Sequence, residues 1–442
     1  MLFGENFKAQ HMLKGEVMRE AYIVSVSMGY GHQRTAFSLR QLGEVINAND
    51  YEGVPDKDRN MWKQLRSGYE LISRAKGIPI FGDLAFSLFD LFQRVPKFYP
   101  KRDLSKPSFA LRIYRYMMKR DFGRDLITKL KERPLPIVST FFLPAFMAEH
   151  FEYPEDIYCV VCDADISRTW APFNPKTSRI KYFAPNQRVV ERLKLYGVRE
   201  ENIFLTGYPL PMENIGPEME ILKEDMKNRL LNLDPKGKYM EKYSDLVFDR
   251  LGNFPDSSDH PLTILFSVGG AGAQKEIGAA ILRKLFPFIR RGEIKVVLSA
   301  GIRRWVMEYF LNCIKELKLD DLRGEYIDII YEERIEDYFE KFNRTLRKTD
   351  ILWTKPSELS FYSALGIPII AAPPIGSHEE SNLRWLIKSG YGAFQGDLKY
   401  IDQWLFDWLE NGYLAEMAME GFVEGEKFGT IRIRDIVFGY IK

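Results

Sequence analysis

The stretch that most constrains the fold is residues 350–392, DILWTKPSELSFYSALGIPIIAAPPIGSHEESNLRWLIKSGYG. Its apolar run 350–354 ends at Lys355-Pro356-Ser357. Pro356 cannot continue a hydrogen-bonded ladder, and Ser357 with Glu358 behind it has the chemistry of a helix start. Leu359, Tyr362, Ala364 and Leu365 then recur at helical spacing until Gly366. A buried-strand run, 367–372, is broken by Pro373-Pro374. A polar loop, 376–381, leads to a third periodic segment, 382–388, which stops at Gly390. The spacing predicts strand, turn, helix, strand, loop, helix. Two helices then begin beside the carboxyl ends of two strands. In an open parallel sheet that is where a ligand sits, and helix N-termini there suit anionic phosphate. An ordinary βαβα unit with a Pro-Pro loop fits the same spacing.

Two upstream segments repeat the theme. Residues 21–27 read as a buried strand, Met28-Gly29-Tyr30-Gly31-His32 as a glycine turn, and 35–46 as a helix with Ala36, Leu39, Gly43 and Ile46 on one side. Residues 263–267 read as a strand, followed by Val268-Gly269-Gly270-Ala271-Gly272-Ala273-Gln274 and a helix over 275–286. Gly269, Gly270 and Gly272 let the backbone approach a diphosphate, with the helix N-terminus behind Ala273 and Gln274. Further strands are expected at 136–140, 157–162, 180–184, 203–206, 295–299 and 328–331, with helices over 189–196 and 335–342. These make two parallel sheets. Pro209 and Pro211 mark the linker, and 213–261 is a charged, partly helical excursion.

A chain of 442 residues has room for two or three domains. Its net charge of +2 announces neither nucleic acid nor acidic partners. The distribution is uneven: residues 94–133 carry 13 Lys/Arg against 4 Asp/Glu, a local balance of +9, so the remainder sums to −7. Phe98, Tyr99, Phe109, Tyr114, Tyr116 and Phe122 are interleaved with those cations. That composition suits an anionic membrane surface. It equally suits a solvated basic face with the aromatics turned inward, because Leu111, Tyr114 and Met118 already form a core stripe. More aromatics precede it, at Trp62, Tyr69, Phe81, Phe86, Phe89 and Phe92. The three cysteines, Cys159, Cys162 and Cys313, read as buried reduced thiols of a cytosolic protein, and no second ligand pair supports a metal. The first residues, up to Val17, are too polar for a signal sequence, and the apolar stretches 134–148 and 365–375 are too short to span a bilayer. A cytoplasmic location follows as the expectation.

Taken together, Asp350, Lys355-Pro356, Leu359, Ala364-Leu365, Gly366, Pro368, Gly376, Glu379-Glu380 and Asn382 resemble the donor half of the GT-B glycosyltransferases. The nearest in pattern are the monogalactosyldiacylglycerol synthases, the processive diacylglycerol glucosyltransferases and the peptidoglycan N-acetylglucosaminyltransferase. Ser27, Gly29, Gly31, His32 and Ala36 resemble the opening signature of the galactolipid synthases, and Thr206-Gly207-Tyr208-Pro209 the close of their first domain. This chain departs from the pattern at Ser357-Glu358, where the family has paired glycines. It departs again at Ser363, where the family has a ribose-gripping Glu, and at Ser167, where it often has a His.

The resemblance implies an α/β GT-B fold, two Rossmann-like domains facing across a cleft. An N-terminal acceptor domain would span 1–212, with 420–442 packing back on it, and a donor domain 213–419. It implies a UDP-sugar as donor substrate, no cofactor, no metal and no nucleic acid, and a peripheral association of 94–133 with the inner membrane face. The Gly269–Gln274 loop would take the diphosphate, with Arg303 and Lys355 neutralising it beside Ser357 and Glu358. The segment 331–335 would clamp the base, and Glu379, Glu380 and Asn382 would hold sugar hydroxyls. Glu379 and Glu380 are also what a helix N-terminus favours for its dipole.

Inverting transfer needs a base for the acceptor hydroxyl and no covalent nucleophile. His32 is the candidate base, on an acceptor loop with Gly29 and Gly31, and Asp163 is its rival. Both residue types also serve as plain turn caps. Asp163-Ala164-Asp165 offers a two-carboxylate Mg²⁺ pattern, which the resemblance argues against. Two other functions share the diphosphate loop. One is a GT-B-fold sugar-nucleotide epimerase or phosphorylase; the other is a binding-only relative whose degenerate positions are Ser357, Glu358, Ser363 and Ser167.

Overall fold

The computed structural model describes residues 19–75 and 94–440. The expected aromatic positions Phe81, Phe86, Phe89 and Phe92, the N-terminal stretch up to Val17, and Ile441 lie outside them. The chain divides into two compact units. The first comprises residues up to Pro211 together with Ile375–Ser381 and Phe428 onward; the second comprises Met212–Pro374 and Asn382–Lys427. Each is a Rossmann-like α/β domain built on one parallel sheet of six strands.

The strands of the first unit are β1 (Ala21–Ser25), β2 (Gly43–Asn47), β3 (Ile137–Ser139), β4 (Ile157–Val160), β5 (Lys181–Ala184) and β6 (Ile203–Leu205). They lie in the order β2-β1-β3-β4-β5-β6, all parallel. Parallel strands covered on both faces read as continuous apolar runs, and β1, β3 and β4 are buried throughout. One face packs Tyr22, Val24, Phe122, Phe146, Cys159 and Tyr182 together. The other packs Ala21, Ile23, Leu39, Val138, Tyr158 and Phe183 with Ile433, Val437 and Phe438.

One expected helix is two elements. Helix α1 is Tyr30–Ser38, a 3₁₀ turn follows at Arg40–Leu42, and 43–47 is the edge strand β2. Helical periodicity at Gly43 and Ile46 was misleading. A Cβ at Gly43 would run into the backbone oxygen of Ala21, so only glycine starts a strand there, and Val45 and Ile46 suit the pleat. The remaining helices of this unit used below are α2 (Phe109–Lys119), α3 (Phe142–His150) and α4 (Gln187–Leu195).

The second unit holds β7 (Leu262–Ser267), β8 (Ile294–Gly301), β9 (Ile327–Tyr331), β10 (Ile351–Thr354), β11 (Ile369–Ala371) and β12 (Gly392–Phe394). Their order is β12-β11-β10-β7-β8-β9, again all parallel. Helix α5 (Lys275–Arg290) follows the glycine loop and runs through Pro287. The expected helix after Ser357 is a buried 3₁₀ segment, Glu358–Leu365. It is pressed so closely on the helix Tyr413–Glu424 that a Cβ at Gly421 would meet the Ser363 backbone.

Helix α6 spans Ser377–Lys388, so most of the expected polar loop 376–381 is its first turn. By packing, its start at 377–381 groups with the first unit. The chain's return to the first unit begins at Phe428 rather than at residue 420, and forms helix α7 (Gly429–Val437). Among the described residues, no helix is long and apolar enough to cross a membrane.

Candidate functional site

In each sheet the strand order reverses once, and the loops at the carboxyl ends of the two strands flanking that reversal form a crevice where ligands bind. In the first unit the reversal falls between β1 and β3; in the second, between β7 and β10. The glycine turn before His32 follows β1 at the first, and at the second the Gly269–Gln274 loop follows β7 and Lys355 follows β10.

In the first unit the chain turns after β1 and enters α1 at once. Gly29 has φ +116° and caps the helix; no atom lies within 4 Å of where its Cβ would be. The turn needs glycine for its backbone angle, and the space beside it is open. Gly31 and His32 are in the first helical turn, rather than in the loop. The loop itself is braced: Asn47 donates to the Ser27 hydroxyl at 2.6 Å, and Asn49 accepts from the Ser27 amide at 2.6 Å. His32 is tied to the end of β3 in both directions. Its Nδ1 is 2.7 Å from the Thr140 carbonyl, and the Thr140 hydroxyl donates to the His32 carbonyl at 2.9 Å. A carbonyl can only accept, so Nδ1 carries the proton and Nε2 is the acceptor nitrogen of the neutral ring.

A cavity of about 120 Å³ opens at this point. His32 lines it with Asp163, Ser167 and Trp170, and the ring of His32 packs 4.8 Å from that of Phe141. His378, from the 375–381 segment, lines it too. Nothing in the sequence patterns points to His378, which stands beside the acidic pair Glu379-Glu380 and matches no motif of its own.

The two carboxylates of Asp163-Ala164-Asp165 have separate fates. Asp165 binds Arg192 of α4 through both oxygens, at 2.8 Å each, and the Arg192 side chain is fully buried. Both oxygens of Asp165 are therefore committed to a guanidinium. Asp163 is partly exposed and lines the cavity. Ser167 is buried, and its hydroxyl is 2.6 Å from the Thr169 hydroxyl.

In the second unit, the loop after β7 turns tightly, with the Gly272 amide donating to the Gly269 carbonyl at 2.8 Å. Gly272 (φ +69°) and Gln274 (φ +65°) are left-handed. β10 lies beside β7, so Lys355 arrives against this loop. A Cβ on Gly269 would sit 2.5 Å from Lys355 Cε. Arg303 donates from Nε to the Gly270 carbonyl at 2.9 Å, and Gln274 donates to the Pro373 carbonyl at 2.8 Å. Ala273 completes the turn into α5. Two cations and a helix N-terminus therefore converge on one glycine loop, an arrangement with the chemistry of a phosphate cradle.

The other expected donor residues lie as follows. Ser357 caps the 3₁₀ segment through its hydroxyl, 3.4 Å from the Leu359 amide. Glu358 is buried, and the Ser363 hydroxyl donates to the Ser360 carbonyl at 2.8 Å inside the same segment. Glu379 is buried and accepts from the Ile375 amide at 2.7 Å, which commits one oxygen to closing the turn before α6. Glu380 is exposed. Asn382 is buried, its side-chain amide 3.5 Å from the Pro356 carbonyl. All three cysteines are buried and unbridged.

The basic stretch divides by face. Leu111, Met118 and Phe122 are buried, while Phe109, Tyr116 and Tyr99 are among the most exposed large hydrophobics. On α2 the exposed face runs through Phe109, Arg112, Tyr116 and Lys119. Phe98 lies under the guanidinium of Arg188 at 3.8 Å.

A family model described as a domain of unknown function (DUF6938) matches residues 253–330, the span that carries β7 to β9. No curated protein matches the sequence. Among solved structures, the chain is similar to S. aureus MnaA in a co-structure with UDP, at 14% identity and a TM-score of 0.47, with 96% of both chains covered. It is similar to MurG of Acinetobacter baumannii, at 13% identity and a TM-score of 0.48, covering 95% of this chain and 99% of that one. It is also similar to a UDP-GlcNAc 2-epimerase from Neisseria meningitidis bound to UDP-GlcNAc, at 13% identity and a TM-score of 0.46, covering 96% of this chain and 100% of that one.

Proposed function

We propose that this protein is an enzyme of UDP-sugars, and specifically an inverting glycosyltransferase that moves a hexose to an acceptor hydroxyl. One observation carries the reading: Lys355 and Arg303 both close on the Gly269–Gly272 loop at the strand-order reversal of the second sheet. A glycine loop alone is common; a glycine loop with two cations and a helix start behind it has the chemistry of a diphosphate site.

In this reading the diphosphate lies along the loop, and Lys355 neutralises the charge that grows as it leaves. Arg303 fixes the loop through Gly270 and adds positive charge. The acceptor oxygen forms its bond to the anomeric carbon as the bond from that carbon to the diphosphate oxygen breaks. His32 Nε2 takes the acceptor proton, the tautomer being set by Thr140. Asp163 holds the acceptor hydroxyl beside it. Glu358, Glu380 and Asn382 remain candidates for the donor, while Glu379, Ser357 and Ser363 act on the local backbone. The acceptor is a membrane lipid, reached through the exposed Phe109, Arg112, Tyr116 and Lys119 face of α2.

The test has two arms. Titration calorimetry with UDP should give one site per chain, weakened in Lys355→Ala. Product analysis with UDP-glucose, UDP-galactose and UDP-GlcNAc then separates the reactions. A glycosylated lipid supports transfer; an epimerised or hydrolysed nucleotide sugar moves the assignment to an epimerase; UDP binding with no product of any kind leaves a binding protein. Absence of UDP binding rejects the whole reading. Vesicle binding should rise with anionic lipid and fall with salt, and binding indifferent to both would leave the α2 face as plain solvated surface.

A further inference from the structure

We propose that the first unit carries a second binding site, for a saccharide bearing an acidic group, in the cavity between α2, the end of α3 and residues 172–179. The cavity has a volume of about 570 Å³, within the range of small-molecule sites and large enough for a disaccharide. It adjoins the His32 cavity, with Tyr114 lining both; along α3, Phe142 lines the first and Phe146, a turn later, lines the second. The proposal does not depend on the glycosyltransferase reading.

Three features select the ligand class. The floor is apolar and rigid, made by Leu111, Met118 and Phe146, all buried, with the Phe173 ring at one side. Apolar surface beside polar groups is what the C–H face of a sugar ring packs against. The wall mixes donors and acceptors: Glu149, Glu152, His150, Asn174 and Thr177 all line it. A polyhydroxyl ligand needs both kinds, whereas an acyl chain would leave them desolvated and unmatched. Glu149 is preset, its Oε1 accepting from the Ser178 hydroxyl at 2.7 Å and from the Arg179 amide at 2.8 Å.

The third feature is charge. Arg115 lines the cavity with its guanidinium held 4.3 Å over the Phe173 ring, and Arg179 lines it with one Nη donating to the Glu155 carbonyl at 3.1 Å. His150 reports the local field. Burial, and then the cations Arg124, Arg115 and Lys119, hold its imidazole below the ordinary histidine value, against a bond to the Met118 backbone. These cations share the cavity with Glu149 and Glu152, and Arg115, stacked over Phe173, is the group that an anion would meet there. The anion is either a carboxylate, as in a uronic acid, or a phosphate on a sugar, and Arg115 would bind each.

The test is saturation-transfer NMR on the full-length protein with excess UDP present to occupy any donor site. The probes are glucuronate, glucose 6-phosphate and glucose. Signal from one or both acids with little from glucose is the expected result, and the stronger acid identifies the anion. Affinity should fall about tenfold or more in Arg115→Ala, the effect of losing a charge-assisted bond. It should disappear in Met118→Trp, which fills the floor. Asn174→Ala, on the exposed loop, gives a third measure if either of the others fails to fold. Equal signal from glucose and the acids, unchanged affinity in folded variants, or no signal from any probe would overturn the proposal.

Discussion

The reversal between β1 and β3 and the reversal between β7 and β10 put a glycine turn in the same topological place and surround it with opposite chemistry. At the first, two hydrogen bonds join His32 to Thr140, and the neighbours are Phe141, Trp170 and Asp163. At the second, the turn is pressed by Lys355 and tied to Arg303. The first offers a base and an apolar wall; the second offers positive charge and backbone amides. On the proposed reading the same backbone device would serve proton transfer in one unit and anion binding in the other, and the side chains around it would decide which.

The comparison breaks most visibly at His32. His32→Ala should lower turnover by ~10²–10⁴-fold, the usual contribution of a positioned base, and leave UDP affinity near wild type. Rescue by His32→Asn would reduce His32 to a turn cap. Loss of UDP affinity in the alanine variant would abolish the division of labour between the two turns.

Next in size is the contrast between two carboxylates of the first unit. Asp165→Asn should cost about 3–5 kcal/mol in denaturant unfolding, because Arg192 is left buried without its carboxylate. Asp163→Asn should cost little stability and should lower turnover instead. If both lower stability alike, Asp163 is structural too.

In the second unit, Lys355→Ala should weaken UDP binding by roughly 10–100-fold, as expected for a bond to a charged group. Gly269→Ala tests the same contact by crowding Lys355 from the other side and should act in the same direction. An effect of either on acceptor saturation alone would reassign the loop.

The smallest effect is a pH dependence confined to the second unit. His260 lies 2.5 Å from Asp259 and 3.3 Å from Asp350, at the amino ends of β7 and β10. Burial lowers its pKa, but the bonds to Asp350 and Asp259 outweigh burial and hold it above the histidine value. A raised folded pKa stabilises fully below the unfolded value of about 6.5, and that stabilisation is lost as pH rises through the folded value. Unfolding of the second unit should therefore ease as pH rises above about 6.5. His260→Gln should flatten the profile, and an unchanged slope would remove the histidine from the account.

How much of this could be read from the sequence differs by residue. The turn after β7 was legible, because three glycines in four residues behind an apolar strand have few other uses. Lys355 was legible from its place after a strand, although its approach to Gly269 depends on which strand lies beside β7. The edge strand β2 was not legible: Gly43 and Ile46 satisfy helical spacing, and only the pairing with β1 makes a strand of them. Asp163 and Asp165 could not be told apart, since the group that separates them, Arg192, is a distant residue on another helix. Glu379 matched a sugar-binding motif yet closes a turn through the Ile375 amide. A carboxylate in a first helical turn serves either end equally well by composition, and the backbone geometry decides.

The return of α7 to the first unit has a consequence for biosynthesis. Ile433, Val437 and Phe438 complete one face of a sheet whose first strand begins at Ala21. A ribosome releases the chain from its amino end, so that face stays open while all of 212–427 is being made. At ~5–20 residues per second this is a delay of roughly ten seconds to most of a minute. The second unit, whose strands all lie within one continuous stretch of chain, can close first. The domain that emerges earliest is therefore the one finished last.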